Sequence, residues 1–200
     1  MLRHIRPALV MLIGLSVLTG IIYPLAVTGV TQVAFPFQAN GSIIDRNGKP
    51  VGSVLIGQNF TGPRYFHPRP SATTEPDPKD PTKTIPVPYA ADNSVGSNLG
   101  PTSKGLIDRV KGDSATLQAQ NPGAPIPGDL ITTSASGLDP DISPEAASFQ
   151  IPRVAKARGM SEDALRALVG AHTEARLLGV FGERHVNVLE LNLALDEQSK

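Results

Sequence analysis

Residues 8–30 read "ALVMLIGLSVLTGIIYPLAVTGV", and no charged side chain occurs anywhere between Pro7 and Ile44. A helix that rises about 1.5 Å per residue over this stretch spans the roughly 30 Å hydrocarbon layer of a membrane. Pro24 is compatible with a kinked membrane helix, because a neighbouring helix can satisfy the carbonyl group that proline leaves unpaired. The sequence therefore predicts a cytoplasmic stub and one transmembrane helix within residues 1–36, with the helix at about residues 8–30.

The charges that flank this helix predict its orientation. Arg3, Arg6 and the amino terminus precede it, and short positively charged ends remain in the cytoplasm. Residues 37–200 are then expected outside, in the periplasm or at the exterior of a bacterial inner membrane. A cleaved signal peptide is the alternative. The basic amino end fits a signal peptide. The apolar stretch, however, is longer than that of a typical signal peptide, and no suitable pair of small residues for a cleavage site is easily placed.

Ser16 and Gly20 form a small-xxx-small pair within the predicted helix. Such a pair allows a second membrane helix to approach closely. Small residues are also common in membrane helices, so chance explains the pair equally well. We treat Ser16 and Gly20 as a candidate packing surface for a membrane partner.

The residues after the helix begin with signals for strands and turns. Asn47-Gly48 lies between two short apolar runs and predicts a tight β-hairpin, because both residues accept positive φ angles. Five prolines between Glu75 and Pro88 forbid a regular helix and favour extended, polyproline-like chain. We therefore expect an exposed proline-rich loop at residues 75–88.

The second half of the chain carries helix signals. A helix is expected after Gly100, with Pro122-Gly123 beyond its end. Ser143 and Ser161 each precede acidic residues and are expected to cap further helices, the first of which Pro152 bends or divides. Asn187 is expected to cap a last helix after a short strand. The predicted fold is one N-terminal transmembrane helix followed by a small soluble α+β domain, residues 37–200.

Composition and motifs give little support to catalysis. The net charge is zero and basic residues form no long run, so a nucleic-acid partner is not expected. The absence of cysteine excludes disulfides, thiolate zinc sites and a cysteine nucleophile. His67 has no second ligand nearby in sequence, and no Gly-x-Ser-x-Gly motif occurs. We expect no metal site and no catalytic residue.

Residues 57–73, "GQNFTGPRYFHPRPSAT", are the strongest candidate for a recognition surface. Their prolines fix the backbone before binding, which reduces the entropy lost on docking. Several of the side chains are types enriched at interface anchors. An ordinary loop that covers the domain's own core is the alternative. The predicted docking surface comprises Arg64, Tyr65, Phe66, His67 and Arg69.

A second candidate lies at residues 132–150, "TTSASGLDPDISPEAASFQ". Clustered hydroxyl groups, a glycine and a helix amino end can together hold an anion. Turn and cap chemistry accounts for the same residues without a ligand, so both interpretations stay open.

Several long segments together resemble the C subunit of the bacterial Kdp potassium-transporting P-type ATPase. They include "TGIIYPLAVTGVTQVAFPFQANGSII", "GSVLIGQNFTGPRYFHPRPSAT", "GSNLGPTSKGLIDRV", "DLITTSASGLDPDISPEAASFQIPRVAKARGM" and "VNVLELNLALD", in order from Thr19 to Asp196. The resemblance implies an accessory subunit of a potassium uptake pump, with a channel-like potassium-binding subunit, a P-type ATPase subunit and membrane lipid as partners. It implies no catalytic site in this chain.

The resemblance also implies a catalytic chaperone that raises the affinity of the ATPase subunit for ATP. The segment likened to an ATP-cassette signature places its residues here at Ser134, Ser136, Gly137 and Gln150. No tightly bound cofactor is implied, and ATP is expected only together with the partner ATPase subunit. The predicted orientation conflicts with direct contact, because it leaves these residues outside the cell, where ATP is scarce. An envelope binding protein or a hydrolase, each anchored by the helix and unrelated to a pump, is the alternative.

Overall fold

The computed structural model describes residues 2–198, and the chain divides into two compact units, the first ending at Ser53 and the second beginning at Val54. The outer ends of the two predicted domains, at residues 1 and 200, lie outside the described residues. The first unit begins with a 30-residue helix, Ile5–Ala34, none of which is buried within the chain. Its length and apolar character suffice to cross a membrane. It comprises α1 (Ile5–Val17), a π-helical turn (Leu18–Ile22) and α2 (Tyr23–Ala34).

The π-helical turn lies directly before Pro24, the second residue of α2. Proline has no N–H group to donate to the preceding turn, and a local widening accommodates its ring. The Thr19 hydroxyl donates to the Leu15 carbonyl over 2.7 Å. The helix is not interrupted at Pro24, since α2 begins at Tyr23 and continues to Ala34.

A short helix α3 (Pro36–Ala39) leads into the first hairpin, which pairs β1 (Ile43–Arg46) with β2 (Lys49–Ser53) antiparallel. Asn47 and Gly48 have φ angles of 54° and 73°. These positive values are those of the tight turn that the Asn-Gly pair predicted. The first predicted hairpin is therefore confirmed.

The proline-rich residues of the second unit also form a hairpin, β3 (Thr74–Asp77) with β4 (Asp80–Pro86). The prediction of a polyproline-like loop at 75–88 is therefore wrong, although most of these residues are exposed as expected. In a two-stranded sheet both strands are edges, so prolines can occupy positions whose N–H groups would face solvent. The Asp77 carboxylate accepts the Lys79 N–H over 2.8 Å and fixes the turn.

The remaining elements confirm the α+β class. A three-stranded antiparallel sheet has β7 (His185–Asn187) between β5 (Asp141–Ile142) and β6 (Thr173–Glu174). The Ser143, Ser161 and Asn187 side chains each accept a backbone N–H at a helix start, as predicted. The elements are α4 (Lys104–Gln120), β5 (Asp141–Ile142), α5 (Pro144–Arg158), α6 (Glu162–Ala171), β6 (Thr173–Glu174), β7 (His185–Asn187) and α7 (Val188–Gln198).

The core of the second unit lies among α5, α6, α7 and strand β7. Helix α5 is not divided at Pro152, which lies within it. The face of α5 that carries Ile151 and Val154 is buried against Leu165 of α6 and Leu191 of α7. Phe66, from the irregular segment before β3, belongs to the same cluster. The core therefore depends on a side chain from outside its helices and sheet.

Candidate functional site: the docking segment

Gly57–Thr73, called here the docking segment, has no regular secondary structure, yet it is firmly attached to the second unit. Phe66 has 0% of its surface exposed and lies in the core. The prediction of Phe66 as an exposed docking residue is therefore wrong, because burial of the ring inside the domain removes more apolar surface from water. Arg64 is exposed, whereas Tyr65, His67 and Arg69 are half-buried.

Two buried amide side chains hold consecutive backbone groups of the docking segment. Asn192 of α7 accepts the Phe66 N–H and donates to the Phe66 carbonyl, both over 2.9 Å. Gln150 of α5 does the same at His67, over 2.8 and 3.1 Å. We call Gln150 and Asn192 the amide clamps. They satisfy backbone polar groups that could not otherwise be buried without a large free-energy cost.

Two arginines hold the carbonyl groups on the amino-terminal side of the clamps. Arg153 donates to the carbonyls of Pro63 and Tyr65 over 2.8 and 3.0 Å. Burial lowers the pKa of Arg153 to about 10, which leaves it charged at neutral pH. Arg158 donates to the Arg64 carbonyl over 2.7 Å and lies over the Tyr65 ring at 4.9 Å. The carbonyl groups of Pro63, Arg64 and Tyr65 thus all bond to arginines of α5.

His67 contributes to the shape of the segment rather than to a metal site. One ring nitrogen, Nε2, lies 2.9 Å from the Gly62 carbonyl. Burial, followed by the positive charge of Arg153, lowers the pKa of His67. The neutral ring therefore carries its proton on Nε2 and donates it to that carbonyl. Among the residues described, no group of three or more histidine, aspartate or glutamate side chains could hold a metal ion.

The carboxyl-terminal end of the segment has its own contacts. Arg69 forms a 2.7 Å ion pair with Asp139, and the Tyr89 hydroxyl donates to the Arg69 carbonyl over 2.8 Å. Burial, and then the charge of Asp139, raises the pKa of Tyr89. Thr73, which is almost fully buried, donates to the Val87 carbonyl. The ion pair with Asp139 fixes the position of the Arg69 side chain.

The residues assigned to nucleotide binding by resemblance lie around this segment, at two separate places. Ser134 accepts the Gly137 N–H over 2.9 Å, and Ser136 accepts the Leu138 N–H over 3.1 Å. The Gly137 carbonyl accepts the Ser71 hydroxyl over 2.8 Å. Ser134, Ser136 and Gly137 therefore form a turn against the end of the docking segment, whereas Gln150 holds its middle.

A cleft of about 390 Å³ separates the docking segment from α4. Gln150 lines it, but Ser134, Ser136 and Gly137 are not among the described residues of its walls. The cleft is bounded by His67, Arg69, Tyr89, Arg109, Leu117 and Gln150, among others. The structure thus does not bring the four residues into one pocket.

Sequence reasoning missed Asn192, Arg153 and Arg158, the partners of the docking segment. A usable signal existed for Asn192, which lies among leucines at the helical spacing that places Val188 and Leu195 in the core. A polar residue on an apolar helix face predicts a buried hydrogen-bonding role. No comparable signal marks the two arginines.

Ser16 and Gly20 lie one turn apart on the membrane helix, in α1 and in the π-helical turn. Apart from the adjoining backbone of its own helix, a Cβ atom added at Gly20 would meet no described atom within 4 Å. The surface is open to a second helix, and its use as a packing surface stays a prediction.

Comparisons with known proteins cover nearly the whole chain. The family described as K⁺-transporting ATPase, c chain (KdpC) matches residues 5–197. The potassium-transporting ATPase KdpC subunit of Methylorubrum populi is 64% identical over 200 residues, all of both chains. Those of Methylobacterium nodulans and Rhodopseudomonas palustris strain BisB18 are each 64% identical and are covered over 98% of both chains. The chain therefore belongs to the KdpC family, the C chain of K⁺-transporting ATPases.

Proposed function

We propose that this chain is a non-catalytic subunit that stabilises a high-affinity potassium pump and supports ATP binding by the subunit that hydrolyses ATP. Its partners are a channel-like potassium-binding subunit and a P-type ATPase subunit. The observation that supports this best is the helix Ile5–Ala34, which no described residue of the chain buries. Its apolar side chains must be surrounded by lipid or by other membrane helices. In a chain of this family, other pump subunits are the natural cover.

The second unit, in this proposal, lies on the outer side of the inner membrane. Arg3 precedes the helix and Arg6 lies in its first turn, whereas no charge follows the helix before Asp45. Because the chain contains no cysteine, one introduced thiol reports its own location. A membrane-impermeant maleimide applied to intact spheroplasts is expected to label Ala91→Cys, at an exposed turn, and to label His4→Cys only after permeabilisation. The reverse pattern would overturn the orientation.

The effect on ATP is proposed to be indirect. The Gln150 amide oxygen accepts from the His67 N–H and Arg153, and its nitrogen donates to the carbonyls of His67 and Ala146. A primary amide has two acceptor positions and two donor hydrogens. All four are used within the domain, so Gln150 supports the shape of the docking segment. Support for ATP binding then arises as coupling free energy between subunits.

A matched pair of substitutions tests this. Gln150→Ala and Asn192→Ala each remove one amide clamp, but only Gln150 belongs to the segment that resembles a nucleotide signature. In the assembled pump we expect both variants to raise the apparent KM for ATP by similar factors, about fivefold or more if coupling has its usual size. Assembly is measured in parallel by recovery of the other subunits.

The alternatives predict different outcomes. A large rise in the KM for ATP with Gln150→Ala alone, with assembly intact, would favour direct contact with the nucleotide. Both variants alter the docking segment. If the affinity of the pump for ATP is unchanged in both, the proposal that this chain supports ATP binding is wrong. A wild-type chain that is always extracted alone from native membranes would favour the independent envelope binding protein.

A further inference from the structure

The connection between β6 and β7 forms an exposed hairpin of apolar residues. Residues 176–183, "RLLGVFGE", are called here the apolar hairpin. Leu177 and Phe181 exchange backbone hydrogen bonds of 2.9 and 3.0 Å across its turn, and an ion pair between Arg176 and Glu183 closes its base. The strand that follows carries Val186, which is fully buried. The hairpin is therefore ordered and attached to the core.

The turn of this hairpin has an unfavourable residue at its first position. Leu178 and Gly179 have φ angles of 54° and 75°, closely similar to those of Asn47 and Gly48 in the first hairpin. Asparagine accepts this left-handed conformation readily, whereas leucine does not. Asparagine at position 178 would therefore stabilise the turn better than leucine does. The presence of leucine indicates that its side chain has a role other than stability, such as binding.

Four side chains of the hairpin lie largely in solvent. Leu177, Leu178, Val180 and Phe181 expose between 64% and 84% of their surface. Together they form an apolar patch on the order of 500 Å², a size that often marks a binding site. A stable interface between two copies usually buries about 800 Å² on each partner, so the hairpin is too small to form a dimer alone. Its size fits an apolar anchor within a larger interface.

Charge argues against a lipid surface as the occupant. Glu174 and Glu183 balance Arg176 and Arg184 around the hairpin, which leaves no net positive charge. Binding to anionic lipid headgroups typically uses clusters of four or more basic residues, and interfacial anchoring favours tryptophan and tyrosine. The hairpin has neither. A neutral apolar tip on a rigid base fits an apolar groove of another protein.

We propose that the apolar hairpin inserts into an apolar groove on another subunit of the potassium-transporting ATPase. This inference rests on the proposed function, which places the chain in a complex. Leu178 and Phe181 are the anchors. The prefolded turn limits the entropy lost when they dock.

The test uses the full pump, extracted with detergent through a tag on this chain. Leu178→Asn is expected to fold at least as stably as wild type, because asparagine suits the turn. The variant is nevertheless expected to lose about tenfold in affinity for the other subunits, as loss of an interface anchor does, and Phe181→Ala is expected to act likewise. Leu99→Asn, at an exposed leucine elsewhere in the unit, serves as the matched control and should bind as wild type does.

The possible outcomes distinguish failure of the hairpin inference from failure of the proposed function. If wild type retains the other subunits and Leu178→Asn and Phe181→Ala retain them equally well, the hairpin inference fails and the proposed function stands. If wild type itself is recovered without them, both fail. A fluorophore on Leu178→Cys, in chain reconstituted alone, tests the lipid alternative: quenching by nitroxide-labelled lipid overturns the inference. Shielding of this fluorophore from an aqueous quencher only when the other subunits are present supports it.

Discussion

Phe66→Ala is expected to lower the free energy of unfolding of the second unit by about 3–5 kcal/mol, the range observed when a buried aromatic residue is truncated. The ring is fully buried and contributes to the cluster formed by α5, α6 and α7. Its removal leaves a cavity because the backbone of residue 66 is held in place by Asn192 on both its N–H and carbonyl groups. The surroundings therefore cannot collapse easily to fill the space.

The measurement is urea unfolding of the full chain in detergent micelles, followed by circular dichroism at 222 nm, with the membrane helix as a constant background. Phe181→Ala is the matched control, since the same atoms are removed from a ring that is 64% exposed. It should change stability by less than about 0.5 kcal/mol. Equal effects of the two substitutions would contradict the assignment of Phe66 to the core.

Gly137→Ala is expected to lower the free energy of unfolding of the second unit by about 2–5 kcal/mol, from two sources. The φ angle of 68° disfavours any side chain by about 1–2 kcal/mol. In addition, a Cβ atom at this position would lie 2.6 Å from the Thr73 methyl group and 2.6 Å from the Val95 carbonyl oxygen. Relief of such overlap requires backbone movement that typically costs a further 1–3 kcal/mol, approximately.

Gly159→Ala separates the two sources. Gly159 ends α5 with the same φ of 68°, but a Cβ atom there would meet nothing within 4 Å. Gly159→Ala should therefore lower the free energy of unfolding by only about 1–2 kcal/mol, as measured by the same urea titration. Losses of equal size at both glycines would show that the close approach of Gly137 to Thr73 and Val95 is not tight.

Local signals in the sequence predicted much of the fold. The Asn47-Gly48 turn and the caps at Ser143, Ser161 and Asn187 are determined by residues within a few positions of each other, so short patterns suffice. The membrane helix follows from length and composition alone. The proline-rich hairpin was missed because proline content indicates extended chain but does not indicate whether two extended segments pair.

The site was less predictable because its partners are distant in sequence. Phe66 is of a type common at interface anchors, but its ring lies in the core. Asn192, which holds the backbone of Phe66, is 126 residues away in sequence. Gln150 was noticed through a resemblance, whereas its hydrogen bonds to His67 could not be anticipated from the pattern around it. Residue type predicts which interactions a side chain can make. Whether it makes them in the core or at the surface depends on its burial and its partners in the fold.

The amide clamps also have a consequence for biosynthesis. Phe66 is made early, whereas Asn192 follows 126 residues later, so the backbone of Phe66 lacks its amide clamp until α7 leaves the ribosome. Closing a loop of that length carries an entropic cost before any contact compensates for it, and contacts of long range slow folding. The second unit is therefore expected to remain unfolded while it is translated. In the proposed orientation, such a chain suits passage across the membrane in the unfolded state.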